Sequence, residues 1–83
     1  MRKIELSKRA VKELNLIKQA KIESKVSKIL NIISNNPFQN PPPYEKMSGY
    51  ENRYSRRINK QHRLVYTVYD DVIKINSMWT HYE

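Results

Sequence analysis

Arg63-Leu64-Val65-Tyr66-Thr67-Val68-Tyr69-Asp70-Asp71-Val72-Ile73-Lys74-Ile75-Asn76-Ser77-Met78-Trp79 holds two runs of β-branched and aromatic residues, split by Asp70-Asp71. Such runs suit a pleated, half-buried surface, and paired aspartates suit a tight turn. The stretch therefore predicts two antiparallel strands, Arg63 to Tyr69 and Val72 to Trp79, joined as a hairpin. Tyr54 to Ile58 reads as a further short strand carrying Arg56 and Arg57. A strict two-residue turn pairs Tyr69 with Val72, and hence Arg63 with Met78. That register leaves position 81 on the face opposite Arg63. Side chains alternate faces, so an odd loop or one bulge returns it to the Arg63 face. A site shared by Arg63, His81 and Tyr82 requires that shift.

Upstream, Lys3 to Leu6 is a candidate strand with Ile4 and Leu6 on one face, and Ser7 suits a helix N-cap. Ala10, Val11, Leu14 and Ile17 recur at helical spacing, which predicts a helix over Lys8 to Gln19. Ile22, Val26, Ile29, Leu30 and Ile33 form a second stripe, with Lys21, Glu23, Lys25 and Lys28 facing water. The two stripes predict a helical hairpin. No Gly or Pro marks the break at Gln19-Ala20-Lys21, so a single bent helix is the alternative. Asn35-Asn36-Pro37 ends the second helix, because Pro disfavours helical geometry in the residue before it. Pro41-Pro42-Pro43 makes a stiff, extended spacer that delivers Glu45 to the sheet. Gly49, the one glycine, lies in a turn over Met47 to Tyr50. The predicted order is β-α-α-β-β-β: an α+β fold, with a twisted, mainly antiparallel sheet packed against an N-terminal helical hairpin. Residues 1–83 are expected to form one domain.

The 83 residues contain no cysteine, which removes disulfides and thiolate metal sites as sources of stability. A chain this short buries roughly 60–65% of its unfolded surface, so its core must be well packed. Met1 to Glu5 lacks the apolar run of a signal peptide, and no segment approaches membrane-spanning length; a cytoplasmic protein is expected. Sixteen Lys and Arg stand against eight Asp and Glu, a net charge of +8. A domain this basic meets a polyanion, because phosphate contacts release counterions and dominate affinity. Nucleic acid is the expected partner, an acidic protein a compatible one.

Cleaving RNA without a metal needs a base for the ribose 2′-OH, a cation for the crowded phosphate and an acid for the departing 5′-oxygen. Two histidines, no cysteines and no carboxylate cluster leave no metal cage, and no cofactor is expected. Glu45, flanked by Tyr44 and Met47 as a screen from water, is a candidate base. Arg63 offers a rigid fork of donors to phosphate oxygens. A histidine, with an ordinary pKa of about 6.5, is a candidate acid. Composition alone does not choose between His62 and His81. Tyr82, Tyr50 and Trp79 are candidates for stacking on an unpaired base, and Lys46, Arg56 and Arg57 for phosphate contacts. Spacing alone ranks simple nucleic-acid binding above catalysis.

Tyr44-Glu45-Lys46-Met47, Tyr54-Ser55-Arg56-Arg57-Ile58, His62-Arg63-Leu64-Val65-Tyr66 and His81-Tyr82 resemble, in order and spacing, the signature of the YoeB branch of the RelE superfamily. These are the toxins of bacterial toxin–antitoxin pairs. The resemblance implies a RelE-like fold and a metal-independent endoribonuclease that cleaves mRNA in the ribosomal A site. It implies Glu45 as general base, Arg63 as support for the scissile phosphate, His81 as general acid and Tyr82 as a substrate-positioning residue. The implied partners are a YefM-type antitoxin, the 70S ribosome with its mRNA, and operator DNA bound through the toxin–antitoxin complex. The alternatives are a non-catalytic basic module that binds nucleic acid or protein, and a ParE-like toxin directed at gyrase. Neither needs Glu45, Arg63 and His81 together.

Overall fold

The Asp70-Asp71 turn forms as a strict two-residue connection, with the Tyr69 N–H donating to the Val72 carbonyl at 2.8 Å. The computed structural model describes residues 1–79; the expectations attached to His81 and Tyr82 lie outside the described residues. The elements are β1 (Lys3–Leu6), α1 (Lys8–Gln19), α2 (Glu23–Asn35), β2 (Glu45–Lys46), β3 (Arg53–Arg57), β4 (Arg63–Val68) and β5 (Val72–Ser77). The sheet order is β1-β5-β4-β3-β2, with β1 parallel to β5 and the other pairs antiparallel. The α+β class and the mainly antiparallel sheet are as the sequence predicts. The element order gains one strand, β2, whose two residues are too few for any periodicity to register.

Both helices lie on one face of the sheet. Ala10 and Ile17 of α1, with Val26, Ile29 and Ile33 of α2, meet Leu64, Tyr66 and Val68 of β4 and Ile73 and Ile75 of β5. Burying each such side chain is worth about 1.5–3 kcal/mol, so this layer supplies most of the stability of so short a chain. Val11, expected in the apolar stripe, is half exposed. It sits about 100° round the helix from Ala10, whereas Glu13 shares the inward stripe with Ala10 and Ile17. Alternation along β4 sends Arg63 and Thr67 to the opposite, helix-free face.

The helices are separate, not one bent rod. Ala20 caps α1, Lys21 takes a left-handed φ of 58°, and the Ile22 N–H reaches back to the Ile17 carbonyl at 3.2 Å. With the Lys21 N–H on the Lys18 carbonyl at 3.0 Å, this is a Schellman motif in which lysine stands where glycine is usual. At the other end, Ser7 Oγ accepts the Ala10 N–H at 3.0 Å and donates to the Asn76 carbonyl at 2.9 Å. The N-cap thus also ties α1 to β5.

The bulge that the site requires is present. Tyr66 lies opposite Ile75 but Val65 lies opposite Ser77, so β5 contributes one extra residue. Ile73, Ile75 and Met78 all face the core, one interval of two residues followed by one of three. No helix among the described residues is long and apolar enough to cross a membrane.

Candidate active site

Three strands place three side chains side by side on the helix-free face. Glu45 of β2 lies opposite Ser55 of β3, and Arg63 of β4 lies opposite Arg57 of β3. The Arg63 guanidinium donates through Nε to Ser55 Oγ at 3.1 Å and through Nη2 to Glu45 Oε1 at 2.7 Å. Ser55 therefore aims the arginine. Its role was legible only as a small hydroxyl residue beside two arginines, which is a weak signal.

The Glu45–Arg63 pair is lopsided: the Glu45 side chain is 73% exposed and that of Arg63 13%. Tyr44 and Met47 do not screen the carboxylate, contrary to expectation, because β2 is an edge strand. An ion pair open to water contributes about 0–1 kcal/mol, so stability does not explain the arrangement. What it does is hold a charged donor fork in place beside a carboxylate that solvent and ligands can reach.

These residues line a cleft of about 480 Å³ together with Lys46, Met47, Ser48, Arg57, Lys60 and Gln61. Its walls carry four cations, Lys46, Arg57, Lys60 and Arg63, against one carboxylate. Arg57 opposite Arg63 places like charges on facing strands, an arrangement that opposes folding. Rules of local structure are broken in this way where a site requires it. Such a cleft attracts a polyanion, and Arg63 can grip one phosphate while Glu45 takes a proton.

The remaining candidates separate. Lys46 and Arg57 line the cleft. Tyr50 is exposed beyond it, with the Arg53 guanidinium 4.0 Å from its ring centroid. Trp79 packs against the core, one face of its indole stacked on His62 at 3.8 Å. His62 is buried and absent from the cleft lining, so its ring packs the fold's edge. Arg56 requires a correction. Only 1% of it is exposed, and its guanidinium bonds Tyr66 Oη and the carbonyls of Pro37, Gln39 and Pro42. It faces the helices because β3 alternates, and it has no donor left on the open surface. Burial pushes the Tyr66 phenol above its ordinary pKa, against the pull of Arg56.

One further carboxylate is placed with care. Glu13, buried in α1, accepts the Met78 and Trp79 N–H groups at 2.8 and 3.2 Å through Oε1. Its Oε2 pairs with Arg9 at 3.0 Å. Its helical phase, shared with Ala10 and Ile17, was the one signal of burial in the sequence. It fixes the chain two residues before His81. Among the described residues, no group of three or more His, Asp or Glu side chains is arranged to hold a metal ion.

A model of the YoeB-like toxin of bacterial type II toxin–antitoxin systems matches residues 7–82. Toxin YoeB of Synechocystis sp. is 37% identical over 67 residues, 76% of this chain and 74% of that protein. The structure of the YoeB dimer from Staphylococcus aureus superposes with a TM-score of 0.86 at 38% identity, covering 98% of each chain. In the YoeB–YefM complex from the same organism, the matching chain gives a TM-score of 0.82 at 37% identity and 99% coverage of each. The family model covers both helices and β2 to β5, and the two superpositions cover nearly the whole chain. This chain belongs to the YoeB-like toxins of bacterial type II toxin–antitoxin systems.

Proposed function

We propose that this toxin is a ribosome-dependent endoribonuclease that cleaves mRNA in the A site by attack of the ribose 2′-OH, without a metal ion. The observation that carries the reading is the Glu45–Arg63 pair, 2.7 Å apart and open to a cleft lined by further cations. In the resting cleft the carboxylate and the arginine satisfy each other. A scissile phosphate takes over the Arg63 fork and leaves Glu45 beside the 2′-OH. Glu45 removes that proton as the 2′-oxygen attacks phosphorus, and Arg63 offsets the charge that accumulates on the phosphorane. His81 protonates the 5′-oxygen as its bond to phosphorus breaks, leaving a 2′,3′-cyclic phosphate and a 5′-hydroxyl. Tyr82 positions the substrate. The packing of His62 against Trp79, away from the cleft lining, favours His81 over His62 as the acid.

Lys46 and Arg57 contact the RNA backbone, and Tyr50 stacks on an unpaired base from the rim; Trp79, packed against the core and stacked on His62, is the weaker stacking candidate. Net charge of +8 makes ribosomal RNA a large part of the binding surface. The chain works as one toxin domain in the cytoplasm, neutralised by a YefM-type antitoxin whose complex with it binds operator DNA. In the Staphylococcus aureus structure YoeB is held by YefM, which supports that partner here.

The test is cleavage of a translated message on purified ribosomes, kept intact with polyamine, in excess EDTA. Cleavage should persist and leave a cyclic or 3′-phosphate end. Strict dependence of the chemical step on magnesium, or a 5′-phosphate product, would sink the mechanism. Loss of viability through gyrase, with mRNA intact, would instead favour the ParE-like alternative.

A further inference from the structure

Residues 37–43 lead from α2 to β2, and four of these seven are proline. Proline has no N–H to donate. Of the three N–H groups that remain, those of Phe38 and Gln39 are spent locally, on Asn36 Oδ1 at 3.0 Å and the Asn36 carbonyl at 3.1 Å. The linker is therefore rich in acceptors and almost without donors. It cannot tie itself to the sheet through its own backbone N–H groups.

Arg56 supplies the donors from beneath. Its Nη1 bonds the Pro42 carbonyl at 2.6 Å, and its Nη2 bonds those of Gln39 and Pro37 at 2.7 and 3.1 Å. Its Nε bonds Tyr66 Oη at 3.0 Å, and that hydroxyl donates to the Pro37 carbonyl at 2.9 Å. A guanidinium suits the task because its planar fork addresses several acceptors at once; an ammonium is a single point. The charge is matched by neutral oxygens and by the Tyr44 ring, whose centroid is 5.0 Å from the guanidinium carbon, with no carboxylate among these partners; that is costly unless position is the return.

The position gained is that of Glu45. It follows Pro42 by three residues, and its cross-strand partner is Ser55, the neighbour of Arg56 in β3. Ser55 also orients Arg63. One dipeptide of β3 thus fixes both members of the candidate catalytic pair, Arg63 from the open face and the strand of Glu45 from the covered face. We propose that Arg56 is a positioning residue for Glu45, holding the donor-poor linker so that β2 seats the carboxylate against Arg63. The proposal rests on the reading of Glu45 as general base.

The experiment compares Arg56→Lys with wild type, each as the full chain, in cleavage of ribosome-bound mRNA and in amide hydrogen exchange. A displacement of about 1 Å at a base costs roughly 10²-fold in rate, so kcat should fall by that order while KM changes little. In the Glu45→Ala background the same substitution should cause no further loss. The Met47 N–H, which donates to the Arg53 carbonyl at 2.8 Å, should exchange faster, while the Tyr69 N–H in the β4–β5 turn should not. Tyr66→Phe, which removes one hydroxyl from the cage and should leave the rest of the fold intact, should shift the same two readouts by less. Losses that multiply with Glu45→Ala, or exchange that accelerates equally across the sheet, would overturn the proposal. A fully active Glu45→Ala enzyme would overturn the base assignment instead, and the Met47 exchange would still report whether Arg56 holds the strand.

Discussion

Two ion pairs among the described residues are inverted copies of one another. In Arg9–Glu13 the arginine side chain is 66% exposed and the carboxylate 11%, whereas in Glu45–Arg63 the carboxylate is the exposed partner. The difference separates two uses of charge. The buried Glu13 carboxylate is consumed by structure: one oxygen holds two backbone N–H groups and the other holds Arg9. The exposed Glu45 carboxylate has a single short bond, to a group that a phosphate can also claim. A buried carboxylate with every partner in place resists change, and an exposed one with a replaceable partner is ready for chemistry.

The sharpest way to break this comparison is to delete the members of the exposed pair. Arg63→Ala and Glu45→Ala should each reduce single-turnover cleavage by roughly 10²–10⁴-fold. Chemical denaturation should register less than about 1 kcal/mol for Glu45→Ala, the worth of a pair whose carboxylate is exposed. A large stability loss without loss of rate would show that the two pairs do the same work.

Glu13→Ala should behave in the opposite sense. Two N–H groups lose their acceptor in a buried setting, and denaturant titration should show a loss of about 2–4 kcal/mol. Glu13→Gln keeps one oxygen toward Met78 and Trp79 and should lose less. Equal losses for both variants would shift the importance to Arg9.

Arg57 and Lys60 sharpen the electrostatic side. Replacing both with alanine should leave stability nearly unchanged and reduce the slope of log K against log salt for ribosome binding by about 1.4, roughly 0.7 per lost phosphate contact on a single strand. An unaltered slope would mean that the cleft does not meet phosphate there. The smallest effect is expected at Lys21, which holds a left-handed φ without being glycine. Lys21→Gly should stabilise the chain by about 0.5–1 kcal/mol in thermal unfolding, with no effect on cleavage. Destabilisation would mean that the lysine stem contributes packing that outweighs its strain.

Much of this was legible in the residues, and the misses have physical causes. The β4–β5 hairpin, the Ser7 cap and both helices follow from patterns long enough to average out single exceptions. The β5 bulge is written as Ile73, Ile75, Met78, where an apolar spacing of two becomes three. The burial of Arg56 could also have been read: it shares its phase in β3 with Tyr54 and Ile58, whereas Arg57 does not. Glu13 likewise shares the helical phase of Ala10, Leu14 and Ile17. Charge misled the reading in both cases, because a buried charge is rare and its partners here are distant in sequence. The pairing of Glu45 with Arg63 depends on a two-residue strand and on the register it adopts, neither of which spacing encodes. The roles of His81 and Tyr82 came from resemblance and not from pattern.

The parallel pairing of β1 with β5 has a consequence for when this toxin comes into being. Lys3 to Leu6 leave a ribosome well before their partners, Val72 to Ile75. The Ser7 hydroxyl that caps α1 likewise waits for the Asn76 carbonyl. Until residues 72–76 emerge, the first strand has no neighbour, and β4 lacks the strand that sits between it and β1. β4, which carries Arg63, therefore has an open edge until residues 72–76 have left the ribosome. The strand that backs the Arg63 wall is thus made after every residue that lines the cleft.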